Sequence, residues 1–343
     1  MERRHFRLGF AGFGNVGRAL ARLLIARRDE LARRYGLSFE VTLLASARRG
    51  AWVEPRGVDL EGALRSGWSS ASRLAEVLRA APIDLLFEAT PLEPRTGEPA
   101  LSHVRAALAR GVSVVSANKG PIALAARELF GIARKAGAGF RFESAVADCL
   151  PVFNLAEAAL PVGRLLRFRG VLNSTSNHVL QAIARGRSGE EAIGEMQRLG
   201  IAEADPSHDL DGWDQAVKVV ILANVLMGRD LTPADVERTP VAAVDPGWLR
   251  AEEVAGRAVY LVAEVGPDGP ARVHPVALPP GDFLASLRGF SLGLTIETEL
   301  AATINVSIVE PHVEQTAYGM LADLVAIGQG RMMIPTPLLQ ATP

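Results

Sequence analysis

In the first 150 residues, short runs that are apolar at nearly every position alternate with longer stretches whose apolar residues recur at helical spacing. Phe6 to Ala11 reads as a strand, Gly12 to Gly17 as a tight turn and Arg18 to Arg34 as a helix. Phe39 to Ala45 is a second strand, Arg73 to Arg79 is helical, and Ile83 to Ala89 is again strand-like. Leu101 to Arg110 follows as a helix, Val112 to Ser116 as a strand, Ile122 to Ala136 as a helix and Phe140 to Glu143 as a short strand. Strands without polar alternation are covered on both faces, and the helices between them make neighbouring strands parallel. The expected fold is therefore α/β, a doubly wound parallel sheet.

Beyond Pro151 the texture changes. Helical periodicity marks Glu190 to Gly200 and Trp213 to Met227, and a region richer in proline and glycine then carries alternating segments such as Leu294 to Leu300 and Thr303 to Val309. Alternation turns one strand face to a core and the other to water, the habit of antiparallel sheets. The expectation is a first domain over 1–150 and a second, α+β domain over 151–309. A last helical piece, Ala317 to Ile327, fits either, which leaves 310–343 free to rejoin the first domain.

The 343 residues suffice for two cores of ordinary size. With 37 basic and 38 acidic residues there is no general field to hold a polyanion, and nucleic-acid binding is disfavoured. The single cysteine, Cys149, permits neither an intrachain disulfide nor a Cys/His zinc site, which fits a reducing, cytoplasmic setting. It reads as a small buried apolar residue rather than a nucleophile. The opening MERRHFRLGF runs from basic residues straight into the glycine turn, and no span of about 18 uncharged apolar residues follows, so neither secretion nor membrane insertion is expected.

Candidate chemistry begins at Gly12-Phe13-Gly14-Asn15-Val16-Gly17, which fits G-x-G-x-x-G between a strand and a helix. Its glycines allow a tight turn and close approach of a pyrophosphate to the helix N-terminus, the mark of a dinucleotide site. The tip of the second strand, where an acid would bind ribose hydroxyls, instead reads Ala45-Ser46-Ala47-Arg48-Arg49. Ser46, Arg48 and Arg49 favour a 2′-phosphate, hence NADP over NAD; the other reading is a solvated basic loop. Two further strands end in Glu88-Ala-Thr90-Pro91 and Ser116-Ala-Asn118-Lys119-Gly-Pro121, at the edge where open α/β sheets bind ligands. Lys119, in a loop stiffened by a neighbouring proline, is either a site residue or a surface lysine.

The densest signal runs from Glu203 through Asp205, Asp209, Asp211 and Asp214 to Lys218, just before an apolar helix. A calcium loop is excluded: Asp209, Asp211 and Gly212 match its third, fifth and sixth positions, but Ser207 and Lys218 stand at its first and twelfth. What remains is an anionic pocket for a cationic substrate group. Lys218 lies one helical turn beyond Asp214, either as an acid/base in apolar surroundings or as a lysine paired with that aspartate.

These residues resemble homoserine dehydrogenase, of the pathway to threonine and methionine. The resemblance runs through the Gly12-x-Gly14 turn, Ala117 to Pro121, Gly170-Val-Leu-Asn-Ser-Thr-Ser-Asn177, and Glu203-Ala-Asp-Pro to Gly212-Trp-Asp214 with Lys218. It implies a Rossmann-type sheet followed by a domain for substrate binding and dimerisation. The implied reaction interconverts L-homoserine and aspartate 4-semialdehyde with NADP or NAD, in a cytoplasmic homodimer. By similarity Lys218 is the general acid/base and Lys119 a second catalytic lysine near the reacting oxygen. Glu203, Asp209 and Asp214 bind the amino acid, joined by Asn173 and Thr175, which with Asn177 shape the domain junction. Gly12 to Gly17, Ser46, Arg48, Arg49, Thr90, Asn118 and Lys119 take the cofactor. A monovalent cation such as sodium falls on Glu143, Val146, Asp148 and Leu150.

The chain departs from the family at four places. Ala147-Asp148-Cys149-Leu150 replaces a glycine-rich segment, Ser174 a glycine and His178 a tyrosine, while Glu310 to Tyr318 stands where a glycine-rich loop closes over the cofactor. The acids Glu310 and Glu314 there predict looser cofactor binding if that loop approaches the phosphates. The length leaves no room for an attached aspartate kinase. Two other readings are a paralogous oxidoreductase acting on another amino-acid semialdehyde and a non-catalytic dinucleotide-binding regulator, the latter opposed by the presence of both Lys119 and Lys218.

Overall fold

The computed structural model describes residues 3–199 and 205–339. They divide into two compact units, Met1–Glu157 with His312–Pro343, and Ala158–Pro311.

In the first unit β1 (Arg4–Ala11) passes through the glycine turn into α1 (Asn15–Tyr35), and β2 (Leu37–Ser46) turns back as β3 (Gly50–Val53). α2 (Leu60–Arg65) and α3 (Leu74–Val77) precede β4 (Leu85–Glu88), α4 (Ala100–Ala109), β5 (Ser113–Ser116), α5 (Lys119–Ala136), β6 (Phe140–Arg141), α6 (Ser144–Ala147) and α7 (Val152–Ala159). The sheet order is β3-β2-β1-β4-β5-β6. Every residue of β4 and β5 is buried, as their unbroken apolar runs require. β2, β1, β4, β5 and β6 are parallel, but β3 is antiparallel to β2, a departure from the all-parallel expectation. Ser46 to Gly50 is too short for a crossover helix, so the strand can only fold back as a hairpin. The stretch Arg73 to Arg79 yields only the single turn α3, since so short a helix lacks cooperative support. The last strand stops at Arg141, because Glu143 already has helical φ/ψ and opens α6.

The second unit contains β7 (Leu165–Val171), α8 (Ser174–Ala184), α9 (Gly189–Arg198), α10 (Ser207–Leu210) and α11 (Trp213–Met227). β8 (Glu237–Arg238), α12 (Pro246–Val254), β9 (Ala258–Val265), β10 (Arg272–Leu278), β11 (Leu292–Thr298) and β12 (Thr303–Ile308) complete it. Its sheet runs β12-β11-β7-β9-β10-β8, antiparallel except for the short β8–β10 pair. α11 is buried from Gln215 to Leu226, so its apolar sequence faces protein on all sides.

The chain then returns to the first unit as α13 (Val313–Gly328), which packs on α1. Its carboxyl end lies low on the sheet, where Arg4 donates to the Ile327 carbonyl and Leu37 closes on Gly328. Its amino end lies at the carboxyl edge of the strands, where Ser144 Oγ donates to the Thr316 carbonyl at 2.7 Å. Met320, Leu321, Leu324 and Ile327 join Leu20 and Leu24 of α1 in one core. Burial of such side chains, worth about 1.5–3 kcal/mol each, fixes where this helix docks.

Candidate functional site

At the carboxyl edge of the first sheet the glycine turn is built as a cradle. Gly12 has φ +95°, and a Cβ there would stand 2.4 Å from the Ala89 carbonyl oxygen. A Cβ on Gly17 would stand equally close, 2.4 Å, to the Gly12 carbonyl. Gly14, by contrast, faces open space within 4 Å, which is the face a pyrophosphate approaches. Asn15 is exposed and opens α1, and Val16 packs partly on the core. The Phe13 side chain is buried, packed at 5.7 Å on Phe10 and 5.3 Å on Trp68, so only its backbone faces outward chemistry.

Beside the cradle the ends of β4 and β5 are tied together. Asn118 is buried and caps α5, accepting from Gly120 N at 3.0 Å. Its Nδ2 donates to the Thr90 carbonyl at 3.0 Å, to Thr90 Oγ1 at 3.3 Å and to the Pro91 carbonyl at 3.2 Å. Lys119 follows as the first residue of α5, half-buried. Glu88, named in sequence at this edge but given no role, takes both the N–H and the hydroxyl of Thr90 on its carboxyl. Burial raises its pKa to about 7 against the pull of Thr90 and Asn118. The available signal was a glutamate closing an otherwise apolar strand.

In the β2–β3 turn Ser46 Oγ accepts from Arg49 N at 3.1 Å. The Arg49 guanidinium reaches the Trp68 carbonyl at 3.4 Å and lies 5.8 Å from the Trp68 ring centroid, and both Arg48 and Arg49 are exposed. After β6, both carboxylate oxygens of Glu143 cap the start of α7, accepting from Phe153 N at 2.9 Å and Asn154 N at 2.7 Å. Burial, with Asp323 nearby, lifts Glu143 to about 7. Val146 and Leu150 are buried. Asp148 stands at φ 55°, ψ −113°, a region glycine occupies freely and an aspartate enters at a cost of about 1–3 kcal/mol. Its carboxylate accepts from Thr316 Oγ1 of α13 at 2.6 Å, which holds the turn where a glycine would need no such help. Cys149 is half-buried rather than buried, and burial beside Asp148 pushes its thiol up, away from nucleophilic use.

The second unit gathers the acidic cluster around one lysine. Lys218 is buried in α11, with Nζ 2.8 Å from Asp214 Oδ2 and donating to the Leu172 carbonyl. Asn173 Nδ2 bridges Asp209 Oδ1 at 2.8 Å and Asp214 Oδ2 at 2.9 Å. The Asn173 Oδ1 accepts from Ser176 N and caps α8. Asn177 sews this turn to β9, donating to the Asn173 carbonyl at 2.7 Å and accepting from Leu261 N at 2.7 Å. Burial and the charge of Asp214 hold the Asp209 carboxyl above the usual range, against Asn173, Lys218 and Thr175. Of the other acids, Asp205 and Asp211 are exposed, and Glu203 lies outside the described residues. His178, in the place of the tyrosine, lies 3.4 Å from Glu195. Glu310 faces Gly289 within the second unit, and Glu314 is exposed in the first turn of α13.

The model of the homoserine dehydrogenase family matches residues 151–325, and that described as homoserine dehydrogenase, NAD binding domain, matches 12–143. An NAD(+)-dependent homoserine dehydrogenase of Pseudomonas canavaninivorans is 34% identical over 341 residues, covering 94% of this chain and 96% of its own. The solved homoserine dehydrogenase from Thermoplasma acidophilum matches with a TM-score of 0.82 at 30% identity, over 95% of this chain and 100% of that one. A hyperthermophilic archaeal homoserine dehydrogenase in complex with NADPH matches with a TM-score of 0.81 at 26% identity, over 97% and 99%.

Proposed function

Since the chain belongs to the homoserine dehydrogenase family, NAD(P)-dependent oxidoreductases acting on a CH–OH group, we propose that Lys218 is the acid/base of its reaction and Asp209 and Asp214 the seat of the substrate's ammonium. The observation that carries this reading is a convergence: two carboxylates meet on one asparagine amide beside one buried lysine. Asp209, held above its usual range, gains most from a second cation. An α-ammonium supplies it, and Glu203 belongs to the same set by resemblance.

In the oxidative direction the homoserine hydroxyl gives its proton to Lys218 Nζ, which accepts it as the free amine. The buried Leu172 carbonyl and Asp214 hold Nζ in place as it becomes charged. In the reverse direction the same ammonium stabilises the developing oxyanion and returns the proton. By resemblance Lys119 is a second catalytic lysine. A nicotinamide dinucleotide bound at the glycine turn supplies the hydride exchange. Gly12 to Gly17 fit its pyrophosphate, and Thr90, Asn118 and Lys119 line the same strand edge.

NADP is the preferred cofactor in this reading, and Arg48 carries more of the preference than Arg49, whose guanidinium already reaches the Trp68 carbonyl. A monovalent cation at Glu143, Val146, Asp148 and Leu150 would be held by main-chain carbonyls, since the Glu143 carboxylate is committed to α7. Replacing sodium by tetramethylammonium in the assay tests it. A homodimer, serving threonine and methionine synthesis, follows from the resemblance, and exposed Leu300 and Val309 flanking edge strand β12 suit a covered edge. Light scattering reads that state. The central experiment incubates purified protein with L-homoserine and NADP or NAD and follows reduced-nicotinamide absorbance. Absence of turnover with either cofactor defeats the reading.

A further inference from the structure

Asp209 and Asp214, which meet on Asn173, belong to two different helices. α10 ends with Asp211 as its cap, Gly212 turns the chain at φ +75°, and Trp213 opens α11. Asp209 lies before this joint and Asp214 after it, so the angle of the joint sets how the two carboxylates face each other. The main-chain bonds there, Gly212 N to the Asp209 carbonyl at 3.2 Å and Ala216 N to the Gly212 carbonyl at 3.0 Å, each belong to one helix. Rotation about Gly212 can therefore change the angle without breaking either. Arg238 grips the joint from outside, carried by β8 beside β10. Its Nη1 donates to the Asp211 carbonyl at 3.1 Å, and its guanidinium carbon lies 3.5 Å from the Trp213 ring centroid, so one side chain holds both sides of Gly212. Among the described residues no carboxylate lies within ion-pair distance of Arg238, and its Nε is buried without a hydrogen bond. The strand is itself fixed, Glu237 N donating to the Ala271 carbonyl at 3.0 Å and Thr239 N to the Val273 carbonyl at 2.9 Å. A Cβ on Gly212 would stand 3.3 Å from Val273 Cγ1 and 3.9 Å from Arg238 Cβ, which seats the joint directly on β10 and β8.

We propose that Arg238 is a positioning residue for the seat of the substrate's ammonium, clamping the α10–α11 joint so that Asp209 and Asp214 present their carboxylates to one cation. Arg238 acts on the main chain between the two aspartates and pairs with neither. Asn173 joins the carboxylates at their tips, through side-chain torsions that can follow a shift of the main chain. A shifted joint thus leaves the Asn173 bonds made but turns the remaining carboxylate lone pairs away from each other, and it is these that an ammonium needs. The inference rests on the reading of Asp209 and Asp214 as that seat.

A double-mutant cycle tests it with Arg238→Met, Asp209→Asn and the pair, measuring kcat and both KM values for homoserine oxidation. Arg238→Met keeps the apolar stem and is expected to raise KM for homoserine about tenfold, with kcat and KM for NADP changed less than about threefold. In the Asp209→Asn background, where the seat is already broken, it is expected to raise KM by less than about threefold more. Arg238→Lys keeps a cation for the Trp213 ring and is expected to recover part of the loss. A further rise of about threefold or more in the Asp209→Asn background, or a fall in kcat with KM for homoserine intact, would overturn the proposal. A normal KM for homoserine in Asp209→Asn by itself would instead mark failure of the reading beneath it. If Arg238→Met does not fold, Trp213→Leu takes the ring from under the guanidinium with Arg238 in place, and the cycle is run with it under the same criteria.

Discussion

Lys218 can sit inside an apolar helix only because Asp214, one turn back, and the Leu172 carbonyl answer its charge. The structure shows the pairing with Asp214, and it buries the lysine beside a second carboxylate bridged to the first through Asn173. Lys218→Met keeps the apolar stem, so turnover is expected to fall by about 10²–10⁴ while NADPH binding, followed by fluorescence, survives. Near-normal turnover would return the lysine to a purely structural pair. At the other end of the chemistry, Arg48→Asp is expected to weaken NADP far more than NAD. Arg49→Asp should change that ratio less, because its guanidinium already serves Trp68. An unchanged NADP:NAD preference in Arg48→Asp would remove the β2–β3 turn from the cofactor's phosphate. The sequence placed both arginines together; the fold leaves both exposed and turns one of them to the Trp68 carbonyl.

Among elements, α13 most changes the picture. Its amino end reaches the strand edge that carries the glycine turn, so Glu314 in its first turn adds negative charge on the side proposed for the cofactor phosphates. Glu314→Gln is therefore expected to tighten NADPH by a few-fold, more at low salt than at high, since Glu314 is exposed and screened. Glu310→Gln should not do so, because that side chain turns to Gly289 in the second unit. Equal dissociation constants for wild type and Glu314→Gln would place the phosphates away from α13. The glycine turn offers a sharper element test. Gly12→Ala combines a positive φ with a Cβ 2.4 Å from the Ala89 carbonyl, so it is expected to cost several kcal/mol or to fail to fold, as read by urea denaturation.

For the whole molecule, the buried Glu88 couples the stability of its unit to pH. Its folded pKa of about 7 lies above its ordinary 4.5, so between these values the native state holds more protons than the unfolded chain. Stability from this group is present below about 4.5 and is lost as pH rises through about 7, a change on the order of 3 kcal/mol. Glu143 acts in the same sense, and His103, kept neutral by burial, acts in the opposite one. Glu88→Gln removes one carboxyl from this balance. Its melting temperature relative to wild type is expected to climb by several degrees, roughly, from pH 5 to pH 8. A constant offset across that range would mean that Glu88 does not titrate in the native protein.

The strand–helix alternation, the glycine turn and the extent of α11 were legible in sequence because each rests on a local rule: apolar period, absence of a Cβ, or helix length. The expected Trp213 to Met227 helix has the observed bounds. So too was the family, because the Gly170 to Asn177 and Asp214 to Lys218 segments each combine several constrained side chains within a few residues. Tertiary structure decided what depends on partners distant along the chain. It put α13 against α1, since an apolar helix face carries no address until a complementary face is presented. It drew Asp209 and Asp214 onto Asn173 and left Asp205 and Asp211 in water, since convergence depends on where α8 begins relative to α11. And it enclosed Glu88, because a carboxyl at a strand end is shut away from water and left to the Thr90 N–H and hydroxyl only when the sheet sets it between β1 and β5.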